Sequence, residues 1–288
     1  MGKSNQSTQE INSQAQNPLG TAPVGGLIAK FAIPAIISML VSAMYNIVDQ
    51  IFIGQGVGML GNAATNVAFP VTTIATALAL LLGIGGASNY NLEMGAGQEK
   101  KASGIAGTAL SSLVISGLIL AVIALVFLKP LLTLFGATTD VMPYAVDYTG
   151  ITALGLPFYI LSVGGNHVVR ADRSPTYSMT CIMIGAIINT ILDPVFIFVF
   201  GWGIKGAAWA TVIGQVVSGV LVIVYFWKFR NMYLTGAMLK PKMPYLKAII
   251  SLGLASCINQ IAMAIVQIVL NNIPVSYTHL TLPTTPYV

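Results

Sequence analysis

Two carboxyl groups lie deep in long apolar stretches of this chain, Asp49 and Asp193, and no other acidic residue sits so far inside one. A charge in the hydrocarbon of a membrane costs about 2.5–3.5 kcal/mol on insertion scales and so marks a working site by default. Asn189 lies four residues before Asp193 and Tyr45 four before Asp49, so each pair shares one helix face. If both helices run the same way, Asp49 lies about three residues from its helix end and Asp193 about seven. At 1.5 Å per residue both carboxyls then fall in the outer half of the bilayer, roughly 5 to 10 Å from its edge. Thr211, Gln215, Asn66 and Tyr148 are placed at similar depth on neighbouring segments. Carboxylate, amide and hydroxyl oxygens are hard ligands that suit an alkali cation better than a transition metal. Two carboxyls in so dry a place also suit a proton, which one can hold and the other accept.

The remaining candidates have plainer readings. An aspartate near a helix end can simply reach headgroup water, and Pro194 after Asp193 predicts a kink. His167 beside Asn166, near the inner end of its segment, reads as a polar lining residue rather than a proton relay. Cys181 and Cys257 fall inside apolar segments and read as small buried residues. Gly83, Gly85 and Gly86 in LGIGGAS have no strand before them, as a phosphate loop would need, and predict close helix packing. Gly95 and Gly97 predict a turn. Met39, Met44, Met179 and Met183 suit either a soft pocket or ordinary packing.

The elements that must hold these groups are membrane helices. Of 288 residues, 56% are hydrophobic and 7% charged, against about 25% charged in a soluble domain. A crossing of about 30 Å takes about 20 mostly apolar residues, and seven stretches qualify: 27–52, 62–88, 104–128, 143–169, 176–200, 206–228 and 247–272. A membrane barrel would instead show short alternating segments. The fold class is therefore an all-α polytopic membrane protein. Lys3, Lys30, Lys100, Lys101, Arg170, Arg173, Lys228, Arg230, Lys240, Lys242 and Lys247 lie on one side of this arrangement; only Lys129 and Lys205, of 13 basic residues, lie on the other. The positive-inside rule then puts the N-terminus in the cytoplasm of a cell with this protein in its inner (plasma) membrane. The net charge of +5 thus reports topology, and no nucleic-acid partner is expected.

The chain divides into five parts: 1–26, a polar cytoplasmic tail without signal-peptide features; 27–230, a six-helix lobe; 231–246, a basic linker with Pro241 and Pro244; 247–273, the first helix of a second lobe; and 274–288. The last part contains SYTHLTLPT, which resembles translated sequencing-adaptor DNA, so it is expected to be non-native and His279 is set aside.

Five stretches resemble the multidrug and toxic compound extrusion (MATE) transporters: IPAIISMLVSAMYNIVDQIFIG at 33–54, GIGGASNYNLEMGAGQEKKA at 83–102, VVRADRSPTYSM at 168–179, INTILDPVFIF at 188–198 and GIKGAAWATVIGQ at 203–215. The resemblance implies twelve helices in two lobes that alternate between inward and outward states. It implies no cofactor beyond a coupling ion, Na⁺ or H⁺, and export of small, often cationic, organic compounds. It implies a cation site of Asp49, Asn189, Asp193 and Thr211, with Tyr45 and Tyr148 in its hydrogen-bond network. Asn166 is implied for the substrate path, which Asn66 and Gln215 would extend. One position departs from the family pattern: Arg173 stands where glycine is usual.

These readings predict an antiporter, with the second lobe needed for function. A flippase for lipid-linked sugars would need a strongly cationic cavity, and the spans offer no buried Arg or Lys. An enzyme would need a nucleophile, a metal-type cluster or a nucleotide loop. A membrane scaffold would leave the paired aspartates unexplained.

Overall fold

A computed structural model describes residues 24–227 and 236–277. Among these residues there are eight α-helices and no strand, and seven helices are long and apolar enough to cross a membrane. They are α1 (Val24–Gly56), α2 (Met59–Gly95), α3 (Glu99–Val126), the short α4 (Leu128–Leu134), α5 (Met142–Ala171), α6 (Pro175–Pro194), α7 (Ile204–Trp227) and α8 (Met243–Tyr277). The seven predicted spans are all present, most of them longer than predicted, because helical turns of polar residues continue past the apolar stretch. The amphipathic turn of α4 escaped the sequence reading.

Two helix ends differ instructively. The predicted linker 231–246 contains a 3₁₀ turn, Gly236–Leu239, and α8 already starts at Met243. Pro244 falls in the first turn of α8, where its missing N–H has no intrahelical partner to lose. The chain also stays helical to Tyr277, four residues past the predicted boundary at 273. The predicted tail 1–26 and the segment 274–288 otherwise lie outside the described residues, as does His279.

Small residues set the packing. A Cβ at Gly83 would run into the backbone of Gly164 on α5, and one at Gly86 into Ala109 on α3. A Cβ at Gly85 would strike the carbonyl of Ile249 on α8, and one at Gly253 the carbonyl of Leu81 on α2. The LGIGGAS segment is thus a packing device: α2 meets α5 and α8 at backbone distance and α3 through the small side chain of Ala109, as small residues permit between membrane helices. Asn89 Nδ2 ties α2 to α8 by donating to the carbonyl of Ala248 at 2.9 Å. The principal buried cluster follows the same helices, through Ala75, Ala79, Leu113, Leu156 and Ile160. Outward faces carry Ile115, Ile119 and Val122 on α3 and Ile258, Ile261 and Ile265 on α8, all exposed, as surfaces facing lipid must be.

The predicted turn at Gly95 and Gly97 forms. α2 ends at Gly95, and Gly97 adopts a φ of 73° beyond it. Between α5 and α6, Arg173 takes a φ of 60° and is the one non-glycine residue with positive φ among the described residues. That is the left-handed region, which costs an L-residue about 1–2 kcal/mol relative to glycine, and it explains why glycine suits this turn.

Candidate cation site

The site is assembled where α1, α5, α6 and α7 meet. Gly185 on α6 and Gly214 on α7 face each other; a Cβ on the first would lie 2.9 Å from the carbonyl oxygen of the second, and the reverse contact would be 2.8 Å. The two backbones therefore approach directly. Asn189 and Asp193 follow Gly185 by one and two turns, and Thr211 lies most of a turn from Gly214. Asn189 Nδ2 donates to Asp193 Oδ1 at 3.3 Å and lies 3.5 Å from Thr211 Oγ1. α1 packs along α6 and places Asp49 with its carboxyl directly beside that of Asp193. Asp193 is fully buried, Asn189 is 3% exposed and Asp49 7%.

The two tyrosines close the cluster from α5 and α1. Tyr148 lies beside Thr211 and within electrostatic reach of both aspartates. Tyr45 lies near Asp49, Asp193 and Tyr159. Tyr159, which the sequence reading passed over, sits 2.8 Å from Thr76 Oγ1 and so links this group to α2.

After Pro194 the chain does not simply kink. It passes into a π-helical turn, Val195–Val199. Proline removes one backbone donor, and the wider turn takes up the mismatch; such turns are frequent at functional sites. Phe196 within it packs with Phe200 and Trp202 beyond it, with centroids 5.2–5.7 Å apart, which suits an aromatic belt at the membrane edge. At the same end, Lys205 pairs with Asp147 at 3.4 Å.

The electrostatics define what the cluster can hold. Asp49 Oδ1, Asn189 Oδ1 and Asp193 Oδ2 are buried and have no hydrogen-bond partner. An unmet buried acceptor costs about 1–3 kcal/mol, and here three lie in one place. Two adjacent carboxyls in a dry interior also cannot both stay charged unless a cation or proton lies with them. Every unmet atom is an oxygen, and among the described residues no three His, Cys, Asp or Glu side chains converge. The donor set thus fits a hard monovalent cation or a proton.

The weaker candidates separate. Asn166 is 1% exposed and lines the cavity below the cluster, together with Gln215. Asn66 does not join them: its residue is exposed on α2, and its backbone carbonyl accepts from Asn271 Nδ2 on α8 at 3.3 Å. Asn66 shares the depth of the cluster but sits on a face of α2 turned away from it.

One buried acid was missed. Asp172, read as a loop residue, is 1% exposed. Tyr90 on α2 donates to its Oδ1 at 3.0 Å, and Tyr225 on α7 to its Oδ2 at 2.7 Å. This carboxylate clamps three parts of the lobe at the end opposite the cation cluster. Only the tertiary pairing of Tyr90 and Tyr225 reveals it, since nothing in RADRSP signals burial.

A bundle of seven helices long and apolar enough to span a membrane, with a carboxyl pair buried among them, is the architecture of a polytopic membrane protein. Residues 34–195 match the family model MatE, and the chain belongs to that family of MATE transporters, which are not enzymes. The multidrug export protein MepA of Staphylococcus haemolyticus is 28% identical over 242 residues, covering 84% of this chain and 54% of that protein. MepA of Staphylococcus aureus strain MRSA252 is 28% identical over 251 residues, covering 87% and 56%. Among solved structures, the MATE multidrug transporter DinF-BH, solved as a complex, superposes with a TM-score of 0.84 at 32% identity, over 90% of this chain and 58% of that one. A MOP superfamily transporter from Pyrococcus furiosus, described as having a binding pocket of reverse polarity that suggests a different function, gives 0.77 at 29% identity, over 83% and 53%. The chain therefore spans a little over half the length of the relatives it matches.

Proposed function

We propose that this chain supplies the first lobe of an antiporter that exports small organic, often cationic, compounds against the entry of Na⁺ or H⁺. Residues 27–230 are the six-helix transport lobe, 231–246 its link to a second lobe, and 247–273 the first helix of that lobe, which transport requires. The observation that carries this reading is the cluster of three unmet buried oxygens on Asp49, Asn189 and Asp193. A cation or proton among them stabilises one arrangement of α1, α6 and α7. Substrate favours another, and that differential affinity is what coupling needs. Thr211 completes the donor set, Tyr45 and Tyr148 orient it, and Asn166 and Gln215 extend it toward the substrate path. The surplus of Lys and Arg at the end carrying the α5–α6 turn supports an orientation in the inner (plasma) membrane with that end, and the N-terminus, in the cytoplasm.

The test is ion-driven drug efflux by a complete two-lobed protein carrying this lobe. Asp49→Asn and Asp193→Asn are each expected to abolish ion-dependent efflux and drug resistance while leaving membrane insertion intact. Retention of both activities by both variants would overturn the mechanism. Replacing a Na⁺ gradient by a proton gradient in the same vesicles identifies the coupling ion.

A further inference from the structure

At the end of the lobe that bears the α2–α3 and α5–α6 turns, four helices leave a second cavity of about 970 Å³ between them, a volume within the range of small-molecule sites. Ile28, Gly95, Glu99 and Ala171 are end residues of the spans in α1, α2, α3 and α5, and all four line it. Where four spans end together, hydrocarbon gives way to headgroups. The cavity is open to the outside rather than enclosed, so it is a recess at the level of the membrane surface.

Its walls suit an amphiphile. Ile28 and Phe31 on α1 and Ile84 and Met94 on α2 supply hydrocarbon, while Arg170 and Arg173 supply two guanidinium groups. The acid between the two arginines is engaged elsewhere: Asp172 accepts from the Tyr90 and Tyr225 hydroxyls through its two oxygens. Neither arginine forms an ion pair among the described residues. Arg170 is steadied by the bond its Nε donates to Ser178 Oγ at 3.0 Å, and the rest of its fork is left for a ligand. Arg173 is held at a φ of 60°, a strained conformation for any residue but glycine, and such strain concentrates at ligand sites. Paired guanidinium groups are the usual partners of a phosphate. The formal charges of the lining nevertheless balance, Arg170 and Arg173 against Asp172 and Glu99. Glu99 likewise forms no ion pair among the described residues. A ligand with one phosphate and one ammonium matches that balance better than an anion does, and basic pockets between spans recognise lipid headgroups.

We propose that this recess binds the headgroup of a zwitterionic aminophospholipid from the leaflet on that side, with its phosphodiester on Arg170 and Arg173, its ammonium toward Glu99 and an acyl chain along Ile28 and Phe31.

The test uses the full chain, purified in mild detergent and stripped of lipid, with bound lipids counted by native mass spectrometry. Phosphatidylethanolamine, phosphatidylcholine and phosphatidylglycerol with matched acyl chains are titrated separately. Phosphatidylethanolamine is expected to bind at least about tenfold more tightly than phosphatidylcholine, whose trimethylated nitrogen has no N–H to donate to a carboxylate. Glu99→Gln is expected to bring the two affinities together, and Arg173→Gln to weaken both. Arg173 is exposed, so that variant decides if Arg170→Gln fails to fold. A preference for phosphatidylglycerol that Glu99→Gln leaves unchanged would overturn the zwitterion. Three equal affinities that no variant moves would remove the site. Glycerophosphoethanolamine, the same headgroup without its chains, is expected to compete weakly; competition as strong as the lipid's would make the ligand a soluble phosphoamine and overturn the membrane source. Binding here needs neither coupling ion nor drug, so the outcome is independent of the Asp49 and Asp193 variants in efflux.

Discussion

Asn189 is the hinge of the cation cluster at the scale of single residues, because its amide donates to Asp193 and approaches Thr211 while its own oxygen stays unmet. Removing it takes away one oxygen donor and the group that orients a carboxyl. Thr211 is only half-buried and contributes a single hydroxyl. Asn189→Ala is therefore expected to weaken cation binding by at least about tenfold, equivalent to ~1.4 kcal/mol, and Thr211→Val by less. Calorimetric titration of the detergent-solubilised protein with the coupling ion, Na⁺ or H⁺, orders the two; a larger loss for Thr211→Val would contradict the arrangement. Spacing singled out Asn189, Asp193 and Asp49, because the first two sit one turn apart and Asp49 is an acid in a span, while the family resemblance joined Thr211 to them. The orphaned oxygens, the Tyr159–Thr76 contact and the buried Asp172 were not legible, since each depends on which helices become neighbours.

At the scale of elements, two positions carry opposite backbone demands. Gly214 lets α7 meet α6, and a methyl group there would push against the Gly185 carbonyl and Asn189 Cβ at 2.8 and 3.2 Å. Gly214→Ala is expected to cost about 1–3 kcal/mol, as overpacking of a tight contact does, and to lower cation affinity as well, because it separates Asn189 from Thr211. Arg173 is the reverse case: a side chain held at a φ of 60°. Arg173→Gly is expected to raise stability by about 0.5–1 kcal/mol, the left-handed penalty less the added freedom of the unfolded chain. Thermal unfolding in detergent measures both, and cation binding should fall only in the first. The departure from the family pattern at Arg173 thus alters local turn energy at a site remote from the carboxyls.

For the whole molecule, α8 is the informative element. It packs against α2 through Gly85 and Gly253, and Asn89 anchors its start. Nothing apolar drives two helices together in lipid, so this contact rests on close backbone approach. Gly253→Leu is expected to detach α8 from α2 while leaving the α1–α7 bundle folded. Limited proteolysis reads this out: the segment around 236–242 should become susceptible, with no change in binding of the coupling ion. If ion binding were lost along with the contact, the cation site would depend on α8, which its geometry does not suggest.

The sequence by itself determined the fold class and the seven spans found among the described residues, because the cost of leaving polar backbone in hydrocarbon forces long apolar helices and leaves a plain compositional trace. It also singled out Asp49 and Asp193, because charge in such stretches is rare for the same reason. What only the tertiary structure decided is who faces whom. Depth along a helix follows from counting residues, but rotation about its axis follows from packing, and here glycines set it. That is why Asn66, at the right depth, falls outside the cluster, while Asp172, counted as a loop residue, is buried between two tyrosines.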